Sequence, residues 1–135
     1  MKLLSLIVSL AVTLGAHAAC AAQSSVSTYT EEAPSVSIRA TWQRFGLTRP
    51  DNASDDTVRS AVAAFRSMAA EEREQMLSLH ADDPDAPEHP YEMDLEGVIS
   101  GNDKVAGILW KDYQYLGGAH GSLTLSSRNY TRSDG

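Results

Sequence analysis

His120 is the residue of this chain most open to a chemical reading. It closes the segment Tyr113-Gln114-Tyr115-Leu116-Gly117-Gly118-Ala119-His120, where alternating aromatics run into a glycine-rich turn. An imidazole there can act as a general base if a Ser, Cys or Asp stands beside it. The spacing supplies no such partner, so a turn histidine bonded to nearby backbone is the simpler reading. Gly117-Gly118 precedes no helical pattern and is therefore no phosphate cradle. The glycines serve conformation, allowing φ > 0 and close backbone approach at a strand end. Tyr113 and Tyr115 share one strand face, with Tyr91 expected nearby, an arrangement that suits either cross-strand packing or an aromatic platform for a glycan ring. Tyr113, Tyr115, Gly117, Gly118 and His120 are thus the candidate binding residues, and no catalytic residue is assigned.

Metal chemistry finds little support. His17, His80, His89 and His120 are the four histidines, and none is placed at H-x-x-x-H or H-E-x-x-H spacing. His80, Asp82, Asp83, Asp85, Glu88 and His89 form the densest ligand-type cluster. It lacks the D-x-[DN]-x-[DN]-G pattern of a calcium loop and reads as a solvated acidic loop. No metal site and no cofactor are expected.

The elements that must position the candidate residues follow from periodicity. Val36 and Ile38 alternate with polar residues and lead to Trp42, as in a short half-buried strand. Arg49-Pro50-Asp51-Asn52 reads as a turn, and Ser54 as the cap of a helix running to about Leu79 or His80. Val58, Ala61, Val62, Phe65, Met68, Ala69, Met76 and Leu77 recur at spacings of three and four, so one face of that helix should pack on a sheet. Three prolines within 84–90 require a loop. Beyond it Tyr91, Met93 and Leu95 alternate with acids, Lys104 to Tyr115 forms a long strand, and Ser122 to Tyr130 a third. Gly107 invites a bulge. The expected architecture is α+β: a small antiparallel sheet with one long amphipathic helix on one face.

Address and partners come from the first residues and the charge. Lys2, an apolar run from Leu3 to Leu14 and the small-residue stretch Gly15-Ala16-His17-Ala18 have the order of a secretory signal peptide over residues 1–18. Cys20, the single cysteine, follows His17-Ala18-Ala19 in a context resembling a lipobox, so two processing routes stay open. One is lipidation of Cys20 after a signal ending at residue 19, the other ordinary cleavage after Ala18 or Ala21. Either predicts an extracytoplasmic protein, periplasmic, secreted or lipid-anchored, with residues 19–34 as a flexible linker and residues 35–135 as the domain. Eleven basic against eighteen acidic residues give −7, and loss of Lys2 would make that −8. Nucleic acid and anionic membrane are poor partners for such a charge, and a membrane is reached only through a lipid anchor.

Laid out in this order, the chain resembles the N-terminal module of PdaC-type peptidoglycan deacetylases. That domain family also occurs in bacterial exported proteins without a deacetylase domain and in lysozyme-sensing anti-sigma factors. Tyr113-x-Tyr115-x-Gly117-Gly118-Ala119-His120 and the strand ending Asn129-Tyr130 carry the likeness, which covers residues 35–135. In the relatives a further strand follows an Asp-x-x-Thr-Gly-like turn. Ser133-Asp134-Gly135 only reaches that turn, so the last strand or strands are expected to be missing. The catalytic domain of those enzymes has another fold, with an Asp pair and two histidines four apart, and its motifs are not found in this chain. The resemblance therefore implies a non-catalytic envelope module engaging peptidoglycan or a cationic protein such as lysozyme. The alternative is the front part of a peptidoglycan deacetylase.

Overall fold

Strict alternation along residues 91–97 builds the centre of the molecule: Tyr91, Met93, Leu95 and Gly97 are buried, and Glu92, Asp94 and Glu96 are exposed. A strand with period two presents alternate residues to opposite faces, so one face of the sheet is apolar and the other acidic. The computed structural model describes residues 25–82, 90–102 and 104–131. Along them run strands β1 (Val26–Ala33) and β2 (Val36–Gln43), helix α1 (Thr48–Leu79), and strands β3 (Tyr91–Gly101), β4 (Val105–Tyr115) and β5 (Ser122–Thr131). The strands form one sheet in the order β1-β2-β3-β4-β5. Neighbours are antiparallel except β2 and β3, which are parallel because α1 returns the chain to the end at which β2 began. The α+β architecture is the one read from the sequence, with that one parallel pair inside it.

Val58, Val62, Phe65 and Ala69 face the sheet from α1 and close over Ile38, Ala40, Met93, Leu95, Ile108 and Trp110. The helix has 32 residues, about 48 Å at 1.5 Å per residue. The eight residues of β2 span only about 26 Å. The last turns therefore outrun the sheet, which leaves Met76, Leu77 and Leu79 exposed although their spacing matches the buried stripe.

Two expectations are corrected. The linker expected over 19–34 contains β1, paired over its whole length with β2 through a turn at Pro34-Ser35. Its alternation is hard to see because an edge strand buries little, and Thr, Val and Tyr satisfy its β-propensity without an apolar face. Residues 1–24, with the signal reading and Cys20, lie outside the described residues. The helix also starts earlier than Ser54. Pro50 occupies its first turn, where a missing N–H costs no intrahelical bond. Ser54 is buried inside the helix and its hydroxyl donates to the Pro50 carbonyl at 2.9 Å.

No side chain caps the helix at Leu47. Its start is anchored by Asp51 instead, whose carboxylate accepts from the Phe45 N–H at 2.7 Å and the Gly46 N–H at 3.2 Å. Gly46 has φ 72°, the left-handed region that this tight entry uses. Asp55 accepts from Trp42 Nε1 at 3.1 Å and from Arg44 Nη1 at 2.6 Å, tying the first helical turns to the end of β2.

Candidate functional site

The helix covers one face of the sheet and leaves the other without a layer among the described residues. On that outer face the register builds cross-strand rows: Asp94 beside Tyr113 beside Leu123, and Glu96 beside Lys111 beside Leu125. Side chains directly opposite on neighbouring strands lie close enough to act together. Asp94, Glu96, Lys111, Tyr113 and Leu123 line a groove of about 310 Å³. Its walls combine an aromatic ring, an aliphatic side chain and two carboxylates, with Lys111 Nζ 3.7 Å from Glu96 Oε2. Leu123 and Leu125 are 57% and 63% exposed, so the apolar part of this face is open to solvent.

The glycine-rich turn between β4 and β5 shapes one end of the groove. Gly117 and Gly118 have φ 90° and 86°, so the pair reverses the chain as only glycines do readily. The Tyr115 hydroxyl donates to the Gly118 carbonyl at 3.0 Å, pinning the turn to the strand. Gly121 has a different task. A Cβ there would fall 2.4 Å from the Tyr113 hydroxyl oxygen and 2.5 Å from ring carbons, so the absent side chain is what lets the Tyr113 ring lie where it does. Tyr113 and Tyr115 do share the outer face. Tyr91 is buried on the opposite face against the core, with its ring near Gly117, and so is no part of an aromatic platform. His120 is exposed in the turn, and the expected hydrogen bond from it to nearby backbone is not formed among the described residues.

Sequence reasoning found the tyrosines and the turn but missed Asp94, Glu96, Lys111, Leu123 and Gly121. Each was visible as a strand or turn residue. Only the pairing of β4 with both neighbours shows that they meet. Gly107 makes no bulge: β4 keeps continuous register with β3 and β5.

The opposite face holds a carboxylate shifted by burial. Asp112 sits between Leu95 and Thr124, and its Oδ2 accepts from Gln114 Nε2 at 2.9 Å. Oδ1 is buried without a partner. Burial pushes the Asp112 carboxyl above the usual aspartate range, and the Gln114 bond opposes that only in part. On the helix side, Arg66 binds both Glu31 and the Tyr29 hydroxyl, and Tyr29 donates to Glu31 at 2.6 Å. The Arg66 bond, with the Tyr29 bond behind it, holds Glu31 below its ordinary range. Among the described residues no three His, Cys, Asp or Glu side chains gather as a metal site. His80 and Asp82 are exposed, while Asp83, Asp85, Glu88 and His89 lie outside the described residues. No described helix is long and apolar enough to cross a membrane.

The family model for deacetylase PdaC matches residues 48–123, more than half of the chain, from the first turn of α1 through the glycine-rich turn into β5. The chain belongs to the deacetylase PdaC family. The matched segment contains the whole groove, its tyrosines and the turn behind them. Among solved structures, a member of the DUF3298 family from Bacteroides fragilis is similar at 11% identity and a TM-score of 0.45, over 79% of this chain and 55% of that one. This chain thus spans about half the length of that protein. No curated protein matches.

Proposed function

We propose that this PdaC-family chain is an extracytoplasmic, non-catalytic binding module of the cell envelope, and that it recognises its partner with the outer face of the sheet. The observation that carries this is the groove of Asp94, Glu96, Lys111, Tyr113 and Leu123 on a face that the helix leaves open. Glu92, Asp94 and Glu96 alternate along β3 there, opposed by Lys111 and by Arg39 of the neighbouring strand. With a chain charge of −7, such a surface suits a cationic protein such as lysozyme, whose approach the field would steer. Peptidoglycan is the second ligand to test, since Tyr113 offers a ring face to a sugar. The signal-like residues 1–18, with or without lipid on Cys20, support the extracytoplasmic address.

Retention of the purified chain on immobilised lysozyme and on peptidoglycan sacculi tests the reading. Binding to one of them that falls at least tenfold on Tyr113→Ala supports it. Retention on neither would overturn it.

A further inference from the structure

On the outer face of the sheet one carboxylate of the groove is left unanswered. Glu96 is met by Lys111, whose Nζ stands 3.7 Å from Oε2. Asp94, one step along the same face of β3, has no hydrogen bond or ion pair among the described residues, and Arg39, its register partner on β2, makes none with it. Opposite Asp94 on β4 is Tyr113, and opposite Tyr113 on β5 is Leu123. The row thus runs carboxylate, aromatic ring, aliphatic side chain across two strand spacings, about 10 Å. Tyr113 is 37% exposed, and its ring lies close against Gly121, where no side chain stands in its way. All three residues line the groove of about 310 Å³. Sites for whole small molecules run from about 300 to 1,000 Å³. A groove at that lower limit, on an open face, suits a single long side chain.

We propose that this row seats an arginine side chain presented by a cationic protein partner. The inference deepens the outer-face reading above and rests on it. A guanidinium is planar, so it can lie on the face of the Tyr113 ring while its fork of N–H groups donates to the two oxygens of Asp94. Its aliphatic stem then covers Leu123, which gives that exposed leucine an apolar neighbour while the charge stays near water. Lysine brings the same charge as a compact, strongly hydrated point, with no plane to stack and no fork to pair, so the row distinguishes the two cations. A sugar ring could stack on Tyr113 but brings no charge to Asp94. The Glu96 and Lys111 side chains beside the row already answer each other, so Asp94 decides the sign of what enters.

Two capped tripeptides of equal charge, acetyl-Gly-Arg-Gly-amide and acetyl-Gly-Lys-Gly-amide, titrated into the isotope-labelled chain at low salt, test it by amide chemical shifts. The arginine peptide is expected to shift Asp94, Tyr113 and Leu123 and to bind about two- to fivefold tighter than the lysine peptide, the gain of one exposed cation–π contact. Tyr113→Leu should erase that preference. Asp94→Asn should weaken the arginine peptide by at least about threefold, whereas Glu92→Gln, which removes the same charge from the same strand face outside the row, should not. If Tyr113→Leu disturbs the fold, the comparison of Asp94→Asn with Glu92→Gln decides. Equal binding of both peptides, binding of neither, equal losses in Asp94→Asn and Glu92→Gln, or an arginine preference that survives Tyr113→Leu would each overturn the subsite. Retention on lysozyme or sacculi alongside such a result keeps the outer-face reading without the subsite. An arginine preference carried by Asp94 and Tyr113, with retention on neither, keeps the subsite and removes those partners.

Discussion

Gly97 lies where two tryptophans and Ile108 close over the core face of the sheet, and Gly97→Ala tests that packing. The residue is buried on the core face of β3, and a Cβ there would stand 2.7 Å from Trp110 Cζ3, 2.9 Å from Trp42 Cβ and 3.0 Å from Ile108 Cδ1. Trp42 cannot easily retreat, since its indole N–H is bonded to Asp55 across to the helix. Two effects oppose each other. Replacing a strand glycine with alanine gains about 0.5–1 kcal/mol in backbone entropy, whereas forcing a methyl into a filled core costs about 1–3 kcal/mol. The contacts fall well short of an ordinary 3.4–4 Å separation on three sides, so the steric effect should win by about 1–2 kcal/mol. In a domain of this size that corresponds to a melting temperature lower by about 4–16 °C. Thermal unfolding followed by tryptophan fluorescence and circular dichroism measures it. Trp110→Phe removes Cζ3 and leaves the Trp42 and Ile108 contacts, so in that background the alanine should cost less than in the parent but still be destabilising. An alanine variant melting at or above the parent would refute the packing argument.

Other expectations follow from the same contacts. Asp55→Ala removes the acceptor shared by Trp42 and Arg44 and should destabilise by about 1–2 kcal/mol in urea unfolding. Gly121→Ala should displace the Tyr113 ring and weaken partner binding while leaving the melting temperature nearly unchanged, because the turn is exposed. Asp112→Asn should stabilise the protein at neutral pH. A carboxyl raised in the native state binds more protons there than when unfolded, so stability falls as pH rises from the ordinary aspartate value through the raised one. The gain should vanish at a pH below both values. Glu31→Gln tests the opposite sign: a depressed carboxylate adds stability above its unfolded pKa and loses it as pH falls through the native one, so this variant should lose stability at neutral pH and match the parent in strong acid.

How much of this was legible in the sequence depends on how deeply each residue is buried. The alternation of Tyr91, Met93 and Leu95 and the stripe of Val58, Val62, Phe65 and Ala69 were plain because burial writes its period into residue type. β1 was hidden because an edge strand carries no such stripe, and the helix start because Pro50 reads as a turn unless its place in the first turn is known. At the groove, the tyrosines and glycines stood out by type. Asp94, Glu96 and Leu123 did not, since what makes them neighbours of Tyr113 is strand register, a pairing between distant segments that local patterns leave open.

The central claim, that the outer sheet face is the binding surface, is tested most directly by amide chemical-shift mapping as lysozyme or soluble peptidoglycan fragments are added to the labelled chain. Shifts should concentrate at Asp94, Glu96, Lys111, Tyr113 and Leu123 and saturate with the ligand that is bound. Changes confined to the helix face, or none with either ligand, would contradict the account.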